Sequence, residues 1–185
     1  MLADLSAPAM LIGGMAVIAR GIPRTTRDID VAVTGGRIPL EQLVARLARG
    51  GFEPRMKNAI EFARRNQVLL MRHKTTAIEL DLSLAWLSFE LEAIAAAENL
   101  LLAGARLPVA RAEDLVIYKA LAWRPQDQQD VERLLLLHGG HMDLARVRRV
   151  VGGLAEALDD PERPRALEAT IRRALRTRAS ARKPT

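Results

Sequence analysis

Residues 28–33 read Asp-Ile-Asp-Val-Ala-Val, an alternation of period two that predicts a β-strand. Residues two apart on a strand share a face. Asp28 and Asp30 therefore project together, with Cα atoms about 6.6 Å apart, while Ile29, Val31 and Val33 point the other way, into a core. Burying one ionised carboxylate is costly, and two held side by side repel each other. Either the face opens to solvent and carries two surface aspartates, or a divalent cation relieves the repulsion. Mg²⁺ suits the second case, because it takes one or two carboxylates together with phosphate oxygens.

The surrounding chain supplies elements to pack against that strand. Ala-Met-Leu-Ile-Gly-Gly (9–14) predicts a brief strand and a tight turn, and Met15–Arg20 a short helix stopped by Gly21 and Pro23. Residues 39–52 place Leu40, Leu43, Val44 and Leu47 on one helical face, with Gly50-Gly51 as the stop. Residues 66–73 and 76–86 predict a hairpin. Residues 89–104 read as helical in composition, with one further edge strand open to Leu100–Ala110. From Glu113 onward every segment is helical in pattern, and Pro125 suits a first helical turn. The fold class is α+β: a small mixed sheet with flanking helices over residues 1–108, a helical lobe over 109–178, and a basic tail, 179–185, expected to be disordered.

With no cysteine among 185 residues, disulfides and thiolate metal sites are excluded. No apolar run approaches the ~20 residues of a membrane span, and the first residues lack the basic-then-apolar pattern of a signal peptide. The expectation is a soluble, cytoplasmic protein without a membrane partner. A net charge of +6 favours a polyanion such as a nucleotide or RNA.

Upstream of the paired aspartates, Gly13-Gly14 turns a strand into a helix. Such a turn presents backbone N–H groups to phosphate, and glycine lets a triphosphate approach the chain. Arg24, Thr25, Thr26 and Arg27 add donors for phosphate or ribose, or cap the strand. Downstream, Glu79, Asp81 and Ser83 alternate with Ile78, Leu80 and Leu82, so Asp81 can lie beside Asp30 on a neighbouring strand. Three such carboxylates facing a phosphate-binding turn match two-metal phosphoryl chemistry. In the lobe, Lys119 sits in the apolar helix Leu-Val-Ile-Tyr-Lys-Ala-Leu-Ala-Trp and calls for an anion, unless it snorkels to solvent. Asp127 and Asp130 either serve the site or complement a helix dipole.

Other signals carry less. His138-Gly-Gly-His141 reads as a helix stop before Asp143 caps the next helix, and zinc is not expected there. Arg64, Arg65 and Arg72 form either a basic rim for nucleotide or RNA or a charged surface run. Leu167, Ile171 and Leu175 form a stripe for lobe packing, or for an antitoxin or subunit contact.

Gly13-Gly14, Arg-Thr-Thr-Arg-Asp-Ile-Asp (24–30) and Asp81 together resemble the nucleotidyltransferase superfamily with the polymerase-β-like fold. Within it, the Lys119 helix followed by Arg124-x-x-Asp127 is similar to the AbiEii/AbiGii-type nucleotidyltransferases, many of them toxins of toxin–antitoxin pairs. The likeness spans about residues 10–137. It implies a transferase moving a nucleoside monophosphate from an NTP to an acceptor hydroxyl with two Mg²⁺ ions, or Mn²⁺ in their place. Asp28, Asp30 and Asp81 would be metal ligands, Asp81 alternatively the general base. Gly13, Gly14, Arg24 and Thr26 would bind nucleotide, Lys119 would meet the triphosphate, and Asp127 would be a lobe acid near nucleotide or acceptor. Implied partners are an RNA or tRNA acceptor and a cognate antitoxin; the alternatives are an antibiotic-type small-molecule acceptor or a silent nucleotide- or partner-binding subunit. Gly-Gly departs from the Gly-Ser of many members, and the chain is short for the toxin branch.

Overall fold

The Asp-Ile-Asp segment begins strand β2 (Asp28–Thr34) in a computed structural model that describes residues 7–181. The chain divides into two units, one of residues up to Ala19 with Pro23–Arg111, the other of Arg20–Ile22 with residues from Ala112 onward. The first unit holds β1 (Ala9–Ile12), α1 (Gly13–Ala19), β2, α2 (Leu40–Arg49), β3 (Phe52–Pro54), α3 (Ala59–Asn66), β4 (Val68–His73), β5 (Glu79–Ala85), α4 (Ser88–Ala95), β6 (Glu98–Leu102) and β7 (Ala105–Val109). Among the described residues its strands form one mixed sheet in the order β3-β4-β5-β2-β1-β7-β6.

β2 is central because its second half is apolar on both faces. Val31, Ala32 and Val33 are buried, whereas Asp28, Ile29 and Asp30 at its start are only partly so. It pairs antiparallel with β1 and parallel with β5, and β4 and β5 form the predicted hairpin. The core is aliphatic, with Met10, Leu69, Met71, Leu80 and Leu82 fully covered.

Three segments differ from expectation. Residues 98–102, read as helical in composition with an edge strand left open from Leu100, form β6 and pair with β7. Ala103 (φ 49°) and Gly104 (φ 81°) are both left-handed, as a two-residue hairpin turn requires, and that turn outweighs the helical composition of a leucine-rich run. Phe52–Pro54 adds an edge strand, and α3 takes Asn66 from the predicted strand, ending at left-handed Gln67 (φ 55°).

The second unit holds α5 (Ala112–Ala122), α6 (Pro125–His138), α7 (Leu144–Ala157) and α8 (Glu162–Ala181). Residues 179–181 of the predicted tail are the last of α8; residues 182–185 lie outside the described residues. Pro125 occupies the first turn of α6, and the Asp143 side chain caps α7 by accepting from the Arg146 N–H at 2.8 Å. Helix C-termini leave carbonyls without intrahelical donors, and two arginines of α8 supply them. Arg163 donates to the carbonyls of Ala120 (3.0 Å) and Leu121 (3.3 Å) at the end of α5. Arg178 donates to those of Leu136 and Leu137, the latter at 2.8 Å, near the end of α6. Leu167 and Ile171 are buried within the lobe. Among the described residues, no helix is long and apolar enough to cross a membrane.

Candidate active site

Ile12, the last residue of β1, is the cross-strand partner of Asp30, so the chain turns into α1 directly beside that aspartate. Gly13 adopts φ +61°, and a Cβ placed on it would lie 1.8 Å from Asp30 Oδ2 and 2.4 Å from Cγ. The Asp30 carboxylate is thus seated on bare backbone. Only glycine combines that conformation with that approach.

Gly14 serves the neighbouring side chains. A Cβ there would fall 2.6 Å from Thr26 Oγ1 and 3.1 Å from Arg24 Cζ. Thr26 donates its hydroxyl to Asp28 Oδ1 at 2.5 Å. That bond holds the Asp28 carboxyl below its ordinary range against partial burial, with the Arg24 charge contributing. Gly13, Gly14, Arg24, Thr26, Asp28 and Asp30 therefore form one contiguous cluster in the first unit.

The parallel ladder pairs Asp30 with Asp81 and Asp28 with Glu79, which puts four acids on adjoining positions of β2 and β5. Burial pushes the Asp81 carboxyl above its ordinary value; the Arg55 charge opposes the shift, and Asp28 and Glu79 add to it. The Asp28 and Asp81 carboxyls are thus shifted in opposite directions. Arg55, which the sequence reading passed over, donates through Nη2 to Asp81 Oδ1 at 2.6 Å and through Nη1 to Glu79.

The donors are hard carboxylate oxygens. Among the described residues no three His, Cys, Asp or Glu side chains are gathered closely enough to hold a metal ion alone. That set fits Mg²⁺, which takes one or two carboxylates and fills its shell with water and substrate phosphate. Replacing Thr26 with Val removes the donor that most lowers the Asp28 pKa. Its pKa then rises, so any activity that needs the Asp28 carboxylate should begin to fail at a higher pH on the acid side than in the parent protein. A pH–rate profile with an unmoved acid limb would contradict this.

Lys119 and Asp127 belong to the second unit, where both are buried. The Lys119 ammonium lies 3.1 Å from Asp127 Oδ1 and 2.9 Å from Asp130 Oδ2. It does not snorkel: its anions are two carboxylates from the start of α6. Arg124 also donates to Asp127 Oδ2, from its backbone at 3.1 Å and from Nε at 2.8 Å. Burial alone would raise the Asp127 pKa, but the bonds from Arg124 and Lys119 prevail and lower it. The predicted basic rim consists of surface ion pairs, Arg64 with Glu41, Arg65 with Glu61 and Arg72 with Glu53. A cleft of ≈ 420 Å³ lies at the other end of the strands, lined by Val33, Gly36, Leu40, Leu84 and Arg64 but by none of the predicted site residues.

In its mixed sheet and helices the chain is similar in fold to solved structures of nucleotidyltransferases and a nucleotidyltransferase-like protein. One is the antibiotic-resistance factor ANT(2'')-Ia in solution, with TM-score 0.59 and 18% identity over 87% of this chain and 89% of that one. Another is ANT(2'')-Ia crystallised with adenylyl-2''-tobramycin, with TM-score 0.56 and 19% identity over 85% and 92%. A third is an antigenic nucleotidyltransferase-like protein from Paracoccidioides brasiliensis, with TM-score 0.53 and 16% identity over 91% and 87%. No protein-family model matches the chain, and no curated protein matches it in sequence.

Proposed function

We propose that the chain is a Mg²⁺-dependent nucleotidyltransferase that moves a nucleoside monophosphate from an NTP to an acceptor hydroxyl. The observation that carries this is the Asp30 carboxylate seated on Gly13, beside Asp28 and across the ladder from Asp81. Asp28 and Asp30 would hold the metal, with Asp81 as a further ligand or as the base. Bound there, two Mg²⁺ ions, or Mn²⁺ in their place, would neutralise triphosphate charge and stabilise the leaving pyrophosphate. Thr26 orients Asp28, while Arg24 and the Gly13-Gly14 turn offer donors to the phosphates. Asp81 takes the proton of the acceptor hydroxyl as its oxygen bonds to the α-phosphorus and the bond to pyrophosphate breaks. Rate enhancement then comes from positioning and charge stabilisation rather than a covalent enzyme intermediate. Lys119 and Asp127 enter this reading as the organisers of the α5–α6 corner, and contact of Lys119 with the triphosphate is the alternative.

Two acceptor classes have support. A small-molecule hydroxyl, as in antibiotic modification, is supported by the likeness to ANT(2'')-Ia, which spans most of both chains. An RNA or tRNA end, with the chain as an AbiEii-like toxin held by an antitoxin, is supported by the net charge of +6 and by the Lys119 and Arg124-x-x-Asp127 motif.

The test is transfer of label from each α-³²P NTP, with Mg²⁺, into cellular RNA, protein and small-molecule fractions. Label should enter one fraction and be lost in Asp28→Ala/Asp30→Ala protein, naming the acceptor class in the same step. Failure to bind any NTP, or binding indifferent to metal, would leave only a partner-binding role.

A further inference from the structure

The Arg55 side chain lies against the carboxylates by construction of the sheet. The Arg55 backbone N–H donates to the Leu70 carbonyl at 3.1 Å, which continues the β3 edge one residue beyond Pro54. Leu70 is the cross-strand partner of Asp81, and Asp81 that of Asp30. One row across the sheet therefore runs Arg55, Leu70, Asp81, Asp30. From the end of that row the guanidinium spans two carboxylates of β5, Glu79 through Nη1 and Asp81 Oδ1 through Nη2. A planar fork can bridge two acids two residues apart; a lysine offers a single point charge. The side chain is only 21% exposed, and its Nε is buried without a hydrogen-bond partner among the described residues. A buried donor left unmatched costs free energy, so the two acids, rather than full satisfaction of the guanidinium, fix where Arg55 sits.

The consequence falls on Asp81. Its Oδ1 is engaged by Arg55, and among the described residues Oδ2 has no hydrogen-bond partner. With three further acids, Asp28, Asp30 and Glu79, on the adjoining positions, Asp81 without Arg55 would turn away from them toward solvent. We infer that Arg55 is the positioning residue of the acceptor-side acid: it fixes Asp81 by one oxygen and leaves the other presented to the acceptor hydroxyl. This rests on the nucleotidyl-transfer reading and on Asp81 as its base.

The experiment compares Arg55→Gln, Arg55→Lys, Asp81→Asn and Arg55→Gln/Asp81→Asn. Transfer is followed from α-³²P ATP with Mg²⁺ into whichever cellular fraction accepts label, or, where none does, by pyrophosphate release with water as acceptor. Affinity for ATP with Mn²⁺ and thermal midpoints are measured on the same proteins. Arg55→Gln should lower kcat by about 10²-fold, the scale of a misplaced catalytic group, with KM for ATP and ATP·Mn²⁺ affinity within twofold. Arg55→Lys should recover part of that loss, and the double variant should be no slower than Asp81→Asn, because both changes act through one carboxylate. Additive losses, an unchanged kcat in Arg55→Gln, or a fall in kcat matched by falls in ATP affinity and thermal midpoint would overturn the positioning role while leaving nucleotidyl transfer standing. Parent protein that binds none of the four NTPs and releases pyrophosphate from none of them would overturn both.

Discussion

Gly13→Ala should abolish most of the activity while leaving a folded protein. The added methyl group would sit 1.8 Å from Asp30 Oδ2, so either the carboxylate leaves its seat or the turn into α1 opens. The residue also adopts φ +61°, which costs a non-glycine residue roughly 1–2 kcal/mol. A displacement of about an ångström at a catalytic group lowers rates by about 10²-fold, and transfer of α-³²P label should fall by at least that factor. Urea unfolding should show a loss no larger than a few kcal/mol, separating misplacement from collapse. Gly14→Ala is the comparison. The atoms nearest its methyl group belong to the Thr26 and Arg24 side chains, which can rotate aside, so its effect should be smaller. Full activity in Gly13→Ala would mean that the seat of Asp30 is not part of any site.

Lys119→Met should destabilise the lobe strongly. It takes the buried ammonium away from Asp127 and Asp130, and removing one partner of a buried ion pair costs about 3–5 kcal/mol. Against a total domain stability of about 5–15 kcal/mol, equilibrium unfolding would detect that readily. The pH dependence carries a sign. Asp127 has a lowered pKa in the fold, so its contribution is complete above the ordinary aspartate value of about 3.9 and is lost as pH falls toward the lowered one. The gap in thermal midpoint between parent and Asp127→Asn protein should therefore narrow below about pH 4. Should Lys119→Met instead keep its stability and lose NTP affinity, the ammonium belongs to the triphosphate rather than to the α5–α6 corner.

The paired aspartates were legible because period two is a local property, visible in six residues. The seat for Asp30 was half legible: the two glycines marked a turn, but φ and close approach are tertiary facts. The position of Asp81 beside Asp30 depends on a parallel pairing between strands separated by α2, β3, α3 and β4, which no local pattern fixes. Arg55 was hidden for a related reason, since it follows a three-residue edge strand too short to show periodicity. Its one sequence trace was indirect, in that four acids on adjoining strand positions demand a cation from somewhere. For Lys119 the need for an anion was plain from the apolar helix around it. That the anions would be the protein's own Asp127 and Asp130 could be seen only once α5 and α6 were packed. The leucine-rich run at 98–102 suited helix or strand equally, and the left-handed pair Ala103-Gly104 decided between them.

The arginines of α8 that close the ends of α5 and α6 also set an order of events during synthesis. Arg178 lies 42 residues beyond Leu136, and Arg163 lies 43 beyond Ala120, whose carbonyls they cover. Every strand of the sheet, by contrast, has been made once the ribosome has passed Val109. Domains form largely as units while the chain emerges. The sheet, with its carboxylates already in register, can therefore assemble first, whereas the lobe waits with its helix ends uncovered until α8 is almost complete.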